Sequence, residues 1–207
     1  MENSAEIIQG SDDWFNARLG KITASRVADV IAKTKSGYSA SRANYMAQLI
    51  AETLTGNKAD SFSSAAMQWG TETEPQARNA YQFLTDSEVL EIGFVDHPTV
   101  IMAGASPDGI ISDDGLVEIK CPNTATHIDT LLKKKVPNKY ITQMQWQMAC
   151  TNRQWCDFVS FDPRMPDDLN IWIKRVERDE DFISEITTEI NSFRKEMNAK
   201  IDKLNDL

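Results

Sequence analysis

Between Ser106-Pro107-Asp108-Gly109 and Val117-Glu118-Ile119-Lys120 the chain runs through two short branched stretches separated by Asp113-Asp114-Gly115. Such runs predict strands over Gly109 to Ser112 and Leu116 to Lys120. The intervening Asp-Asp-Gly is a hairpin signal, since glycine supplies the positive φ of a tight turn. Ten residues from Asp108 to Glu118 are enough chain to turn at Asp114-Gly115 and return with Glu118 beside Asp108. Side chains two apart on a strand share a face, so Glu118 and Lys120 point together towards Asp108 while Ile119 faces the core.

Two carboxylates this close repel each other, and a divalent cation between them relieves the repulsion while leaving room for a phosphate oxygen and a water. That arrangement suits phosphodiester hydrolysis. The cation lowers the pKa of its water and polarises the phosphoryl oxygen, and Lys120 orients the attacking water and neutralises charge growing on the phosphate. On its own the motif has a second reading: Pro-Asp-Gly as a simple turn, with Glu118 and Lys120 a solvated cross-strand pair.

Outward from this segment the period changes. Tyr45, Met46, Leu49, Ile50 and Leu54 recur at helical steps from Ser39 to Thr55, with Gly56 where a left-handed cap belongs. A second helix is expected from Ala65 through Leu84, kinked or restarted at Gly70 or Pro75. Val89 to Val95 and Thr99 to Ala103 join the two later strands in an antiparallel meander. A helix from Tyr140 to Thr151, strands over Trp155 to Phe161 and Leu169 to Val176, and a long charged helix from about Asp179 complete the order. The expected class is α+β, helices packed around a mixed central sheet.

At 207 residues the chain suits a single domain spanning 1–207. No apolar run is long enough for a membrane span, Met1-Glu2-Asn3-Ser4 lacks the cationic start of a secretory signal, and Ser61-Phe62-Ser63-Ser64 is too short for a linker, so an intracellular protein is expected. Three cysteines, Cys121, Cys150 and Cys156, cannot all pair and are expected as reduced thiols. With His97 and His127 the only histidines against 31 acidic residues, any metal should be hard. A net charge of -9 excludes coating DNA by bulk electrostatics, though not a basic groove.

One ordered set extends over most of the chain: Gln9-Gly10-Ser11-Asp12-Asp13-Trp14, Arg18-Leu19-Gly20, Ile22-Thr23-Ala24-Ser25, Trp69-Gly70 with Glu74, the Asp108 to Lys120 segment, Gln143, Gln145, and Asp162-Pro163-Arg164-Met165. From about Gln9 to Asp181 it resembles the phage lambda exonuclease family of viral recombination nucleases, which use the restriction-endonuclease-like PD-(D/E)xK core. The resemblance implies Asp108, Glu118 and the Ile119 carbonyl as ligands of Mg²⁺, two ions with Mn²⁺ able to substitute, and Lys120 as the catalytic lysine. Glu74 would support the metal directly or through water, and Gln143 would position the phosphate or water. Arg18, Ser25 and Ser106 match residues that hold the 5′-terminal phosphate, a guanidinium and hydroxyls being suited to phosphate oxygens. Thr23-Ala24-Ser25 also fits a helix cap before Val27.

Met67 falls at the family's apolar wedge position, where a side chain inserts between separating strands; a helical Met otherwise fills a core. Lys33, Lys35 and Arg42 flank a basic, aromatic-bearing loop that could grip a strand or simply be solvated. Trp14, Trp69, Trp146, Trp155 and Trp172 are expected to pack, Trp14 close to the proposed phosphate pocket, and Lys133-Lys134-Lys135 to be a solvated face. The implied activity is 5′-to-3′ resection of linear double-stranded DNA, processively and to mononucleotides, leaving 3′ single-stranded tails. The resemblance also implies a homotrimeric ring, a phage single-strand annealing protein as partner, and the cytoplasm of a bacterial host, phage or prophage encoded. The rivals are a restriction-like or nicking endonuclease on the same core and a non-catalytic DNA-end-binding module.

Overall fold

Branched and aromatic residues on alternate positions build the sheet that carries Glu118. The computed structural model describes residues 8–59 and 64–207; Met1-Glu2-Asn3-Ser4 and most of the Ser61 to Ser64 stretch lie outside them. In chain order the elements are α1 (Asp12–Arg18), β1 (Ile22–Thr23), a 3-10 turn (Ala24–Arg26), α2 (Val27–Ile31), β2 (Lys33–Thr34), β3 (Gly37–Tyr38), α3 (Ala40–Thr55) and α4 (Ala65–Thr85). They continue with β4 (Val95–Asp96), β5 (Ala103–Ala105), β6 (Gly109–Ile111), β7 (Gly115–Lys120), α5 (Thr124–Lys133), α6 (Asn138–Thr151), β8 (Trp155–Phe161), β9 (Ile171–Glu177) and α7 (Glu180–Asn205).

The larger sheet has the order β6-β7-β8-β9. Strand β7 runs antiparallel to β6 and parallel to β8, and β9 returns antiparallel. A parallel neighbour requires a crossover, which α5 and α6 provide. Val117, Ile119, Val159 and Phe161 bury one face against Ala77 and Tyr81 of α4. Leu116, Cys156 and Phe158 bury the other against Met144 and Met148 of α6. Alternation therefore puts Glu118 and Lys120 on the α6 face and Ile119 against α4. A smaller sheet, β1-β5-β4, packs into a second core built by α2, α3 and α7, in which Tyr45, Leu49, Ile186, Ile190 and Phe193 are buried.

The helix with the clearest period, α3, ends as expected, with Gly56 at φ 65 and its N–H on the Glu52 carbonyl. Other expectations are corrected. Val89 to Val95 and Thr99 to Ala103 do not form a meander with the β6–β7 hairpin: β4 and β5 belong to the smaller sheet, and Leu90 makes a lone bridge to Ile110. The left-handed residue of the β6–β7 turn is Ser112, at φ 43. Gly115 is instead needed for close approach, because a Cβ there would lie 2.2 Å from the Trp155 ring. Helix α4 runs unbroken across Pro75, whose exposed side lets solvent take the carbonyl its missing N–H leaves free. Thr23 makes no side-chain cap, and Arg26 occupies the position before α2.

Two helices lack the apolar period by which sequence reveals helices. Helix α1 buries nothing and is set by its cap, Ser11 Oγ accepting from the Trp14 N–H, and by Asp12 and Asp13 in its first turn. Helix α5, capped by Asn123, turns His127 and Thr130 inward. His127 bridges Ser160 Oγ and the Leu169 carbonyl, both at 2.8 Å. All three cysteines are free and buried. Among the described residues no helix is long and apolar enough to cross a membrane.

Candidate active site

Register brings the acids together. Gly109 pairs with Val117, so the preceding Asp108 lies alongside Glu118. The Ile119 N–H donates to Asp108 Oδ2 at 2.7 Å, fixing the carboxylate across the strand edge. Lys120 Nζ sits directly on Glu118 Oε1 and 3.8 Å from Asp108 Oδ2. Asp108, Glu118 and Lys120 thus converge, and the reading of the motif as a solvated cross-strand pair is overturned, since the Glu118 side chain has no exposure at all.

An isolated carboxylate at such depth would cost several kcal/mol, on the order of 5, so its lone pairs must be occupied. Helix α6 supplies the donors: Gln143 Nε2 reaches Glu118 Oε1 and Gln147 Nε2 reaches Oε2, each at 2.6 Å. Gln147 was not among the sequence candidates. Its signal was present in the spacing, four residues beyond Gln143 and hence on the same helical face.

Burial and then the Glu118 charge push the Asp108 carboxyl well above the usual range. Burial pulls the Lys120 ammonium down, but Glu118 and Asp108 outweigh it and hold the proton more tightly than usual. Glu74 stands farther back on α4, bonded at 2.7 Å to Arg78, which also reaches Glu91 at 2.7 Å. Burial raises its carboxyl while Arg78 opposes. Its field is felt at Asp108, but it makes no hydrogen bond to either of the other acids.

Among the described residues no three His, Cys, Asp or Glu side chains gather closely enough to enclose a metal. The donor set nevertheless suits a hard ion held from one side: two carboxylates, one raised by burial and then by the other's charge, with a protein cation already drawn to them. Mg²⁺ is commonly bound by one or two carboxylates, with water and substrate phosphate completing its shell.

Two residues before Asp108, the chain enters a different environment. Ser106 Oγ accepts from Trp14 Nε1 at 2.9 Å and from Arg18 Nη1 at 3.0 Å. Trp14 and Arg18, one turn apart on α1, stack at 3.9 Å. Arg18 and Ser25 line a cavity of about 300 Å³ together with Lys21, Arg26, Lys58 and Met67. Ser25 Oγ has only a 3.4 Å contact to Thr23 Oγ1, which leaves it available to the cavity. Burial lowers Arg18 to about 10, with Tyr45 and Glu52 opposing, so the guanidinium stays charged at neutral pH. Trp14, expected close to this pocket, is one of its walls, and Arg26 and Lys58 are cations that sequence reasoning passed over. Met67 is 58% exposed at the cavity edge and is no core filler.

The basic loop lies elsewhere, as the hairpin β2–β3 against α7. Lys33 is paired with Glu189 at 2.6 Å, while Lys35 is exposed. Arg42 departs from the expectation of a strand-gripping cation: it is 4% exposed, stacked 3.9 Å from Tyr38 and paired with Glu196 at 2.6 Å.

A mixed sheet between helices thus carries an Asp-Glu-Lys cluster at one strand end. The YqaJ-like viral recombinase domain matches residues 13–154, and the chain belongs to that family. It is 54% identical to LHK-Exo, an alkaline exonuclease from Laribacter hongkongensis, over 95% of this chain and 97% of that one, with a TM-score of 0.89. The LHK-Exo structure in complex with dAMP matches at 55% identity over the same shares, with a TM-score of 0.90. A phage related exonuclease from Haemophilus somnus 129PT shares the fold at 17% identity, with a TM-score of 0.74 over 92% of this chain and 99% of that one. No curated protein matches. The fold is restriction-endonuclease-like, and the enzyme is a DNA exonuclease.

Proposed function

We propose that the chain is a Mg²⁺-dependent 5′-to-3′ exonuclease that resects linear double-stranded DNA processively, releasing mononucleotides and leaving 3′ single-stranded tails. The observation that carries the reading is the continuity of Ser106 with Asp108: the residue receiving Trp14 and Arg18 stands two positions from the acid site. A terminal phosphate held at Arg18, Ser25 and Ser106 puts the next phosphodiester within reach of Asp108, Glu118 and Lys120. The step then matches one nucleotide. That a relative binds dAMP, a nucleoside 5′-monophosphate, supports the same reading.

Asp108, Glu118 and the Ile119 carbonyl would hold the metal, two ions with Mn²⁺ able to substitute. When bound, a divalent ion supplies an activated water and polarises the phosphoryl oxygen. Gln143 and Gln147 keep the Glu118 carboxylate aimed, Lys120 neutralises charge growing on the phosphate, and Glu74, held by Arg78, would support the metal directly or through water. Met67 wedges the strands apart, and Lys33 and Lys35 meet the DNA backbone. A homotrimeric ring around DNA, a phage single-strand annealing protein as partner and the cytoplasm of a bacterial host complete the reading. A ring stays on DNA topologically, which accommodates a net charge of -9. Linear duplex labelled at either end provides the test: with Mg²⁺ the 5′ label should leave first, as a mononucleotide. Release of the 3′ label first, or cutting of covalently closed circles, would overturn it.

A further inference from the structure

Asp162-Pro163-Arg164-Met165 follows β8 and has no part in the chemistry above. Lys120 pairs with Ser160, so Asp162 lies just beyond the strand end from which Lys120 projects. Asp162 is fully buried. It accepts from the Arg164 N–H at 3.0 Å, from Arg164 Nε at 2.7 Å and from Nη2 at 3.0 Å. The guanidinium also lies 4.3 Å from the Trp69 ring and 3.5 Å from the Pro122 carbonyl. Three residues, Asp162, Trp69 and Pro122, therefore fix one cation in place. Its side chain is still 47% exposed, and Nη1 has no hydrogen-bond partner among the described residues.

Position gives this immobility a use. Trp69 lies on α4 between Met67 and Glu74, and Pro122 is two residues past Lys120. A planar guanidinium pinned by a carboxylate and an indole loses little further freedom on binding, and its free Nη1 can donate to a phosphate oxygen. The same construction recurs at the other end of the sheet, where Arg175 makes 2.9 Å bonds to both oxygens of Asp157 and lies 3.4 Å from the Trp155 ring. There it braces the sheet, linking β8 to β9.

We propose that Arg164 binds a DNA backbone phosphate, its guanidinium held by Asp162 and Trp69 at the rim between α4 and the end of β7. The assignment rests on the exonuclease reading of the neighbouring site. The test measures binding of 5′-phosphorylated duplex with a 3′ overhang by full-length protein carrying Lys120→Ala, so that DNA is not consumed, over a series of KCl concentrations. Adding Arg164→Ala should weaken binding roughly tenfold and reduce the slope of log affinity against log salt by about one. Arg175→Ala, which removes an equivalent pair and stack, should leave that slope unchanged. If Arg164→Ala does not fold because Asp162 is left unpaired, the double change Asp162→Asn with Arg164→Gln keeps a neutral pair and should show the same loss of slope. An unchanged slope in the folded Arg164 variant, or an equal drop in the Arg175 variant, overturns the proposal. If the Lys120→Ala parent does not bind DNA, the exonuclease reading itself has failed.

Discussion

Around Asp108 and Glu118 the protein buries anions and draws a lysine to them, whereas around Arg18 it buries a cation and sets a glutamate behind it. In the first region Glu118 has no exposure, and its two carboxylate oxygens accept from two amides and an ammonium. In the second, Glu52 accepts from the Gly20 N–H at 3.1 Å and from Gln48 at 2.9 Å, while Arg18 opens onto a cavity. The first is a rigid site short of positive charge, as a metal-dependent step demands. The second is an accommodating site with positive charge to spare, as a terminal phosphate demands. Ser106 and Asp108 join them on one short piece of chain.

If that division of labour is right, damage to the acid region should remove chemistry on every substrate. Lys120→Ala should lower cleavage by about a thousandfold or more, with duplex ends still bound; undiminished cleavage would show that the lysine is only a counter-ion. Gln147→Leu takes one donor from the buried Glu118 and should reduce activity or metal affinity by about ten- to a hundredfold, restored in part by Gln147→Asn only if a donor is what matters. Gln147→Leu with unchanged kinetics would reduce Gln147 to packing.

Damage to the pocket should instead change which ends are preferred. Arg18→Ala removes a charge-assisted contact worth about 1.5–3 kcal/mol, so the preference for 5′-phosphorylated over 5′-hydroxyl ends should fall about ten- to a hundredfold. Equal loss on both ends would give Arg18 another role.

The smallest effect separates the regions by pH. The Asp108 carboxyl is raised, so its proton persists to higher pH, and the ionised, metal-binding form accumulates as pH climbs through that elevated value. Arg18, lowered to about 10, remains charged across the same range. Rates on both kinds of end should rise as pH climbs through the elevated Asp108 value, while their ratio stays level. A ratio that moves with the rate would mean that the two regions titrate together.

What could be seen in the sequence follows the same line. The Asp108 to Lys120 convergence was legible because strand alternation fixes which side chains share a face, and α3 because its apolar steps and Gly56 agree. Helix α5 was not, since its inner face is His127 and Thr130, and α1 was not, since it buries nothing. Gln147 needed only the four-residue step from Gln143. Arg42 as a buried cation paired with Glu196 depends on a partner some 154 residues away, which no local pattern encodes. The misplaced meander has the same origin: short branched runs announce strands without saying which sheet they join.

The most direct test of the central claim is a calorimetric titration of Mn²⁺ into the full-length protein and its Asp108→Asn and Glu118→Gln variants, without DNA and at fixed pH. Binding to the unaltered chain, and its loss in both variants with folding retained, is the predicted result. Mn²⁺ binding that survives both substitutions unchanged would contradict it.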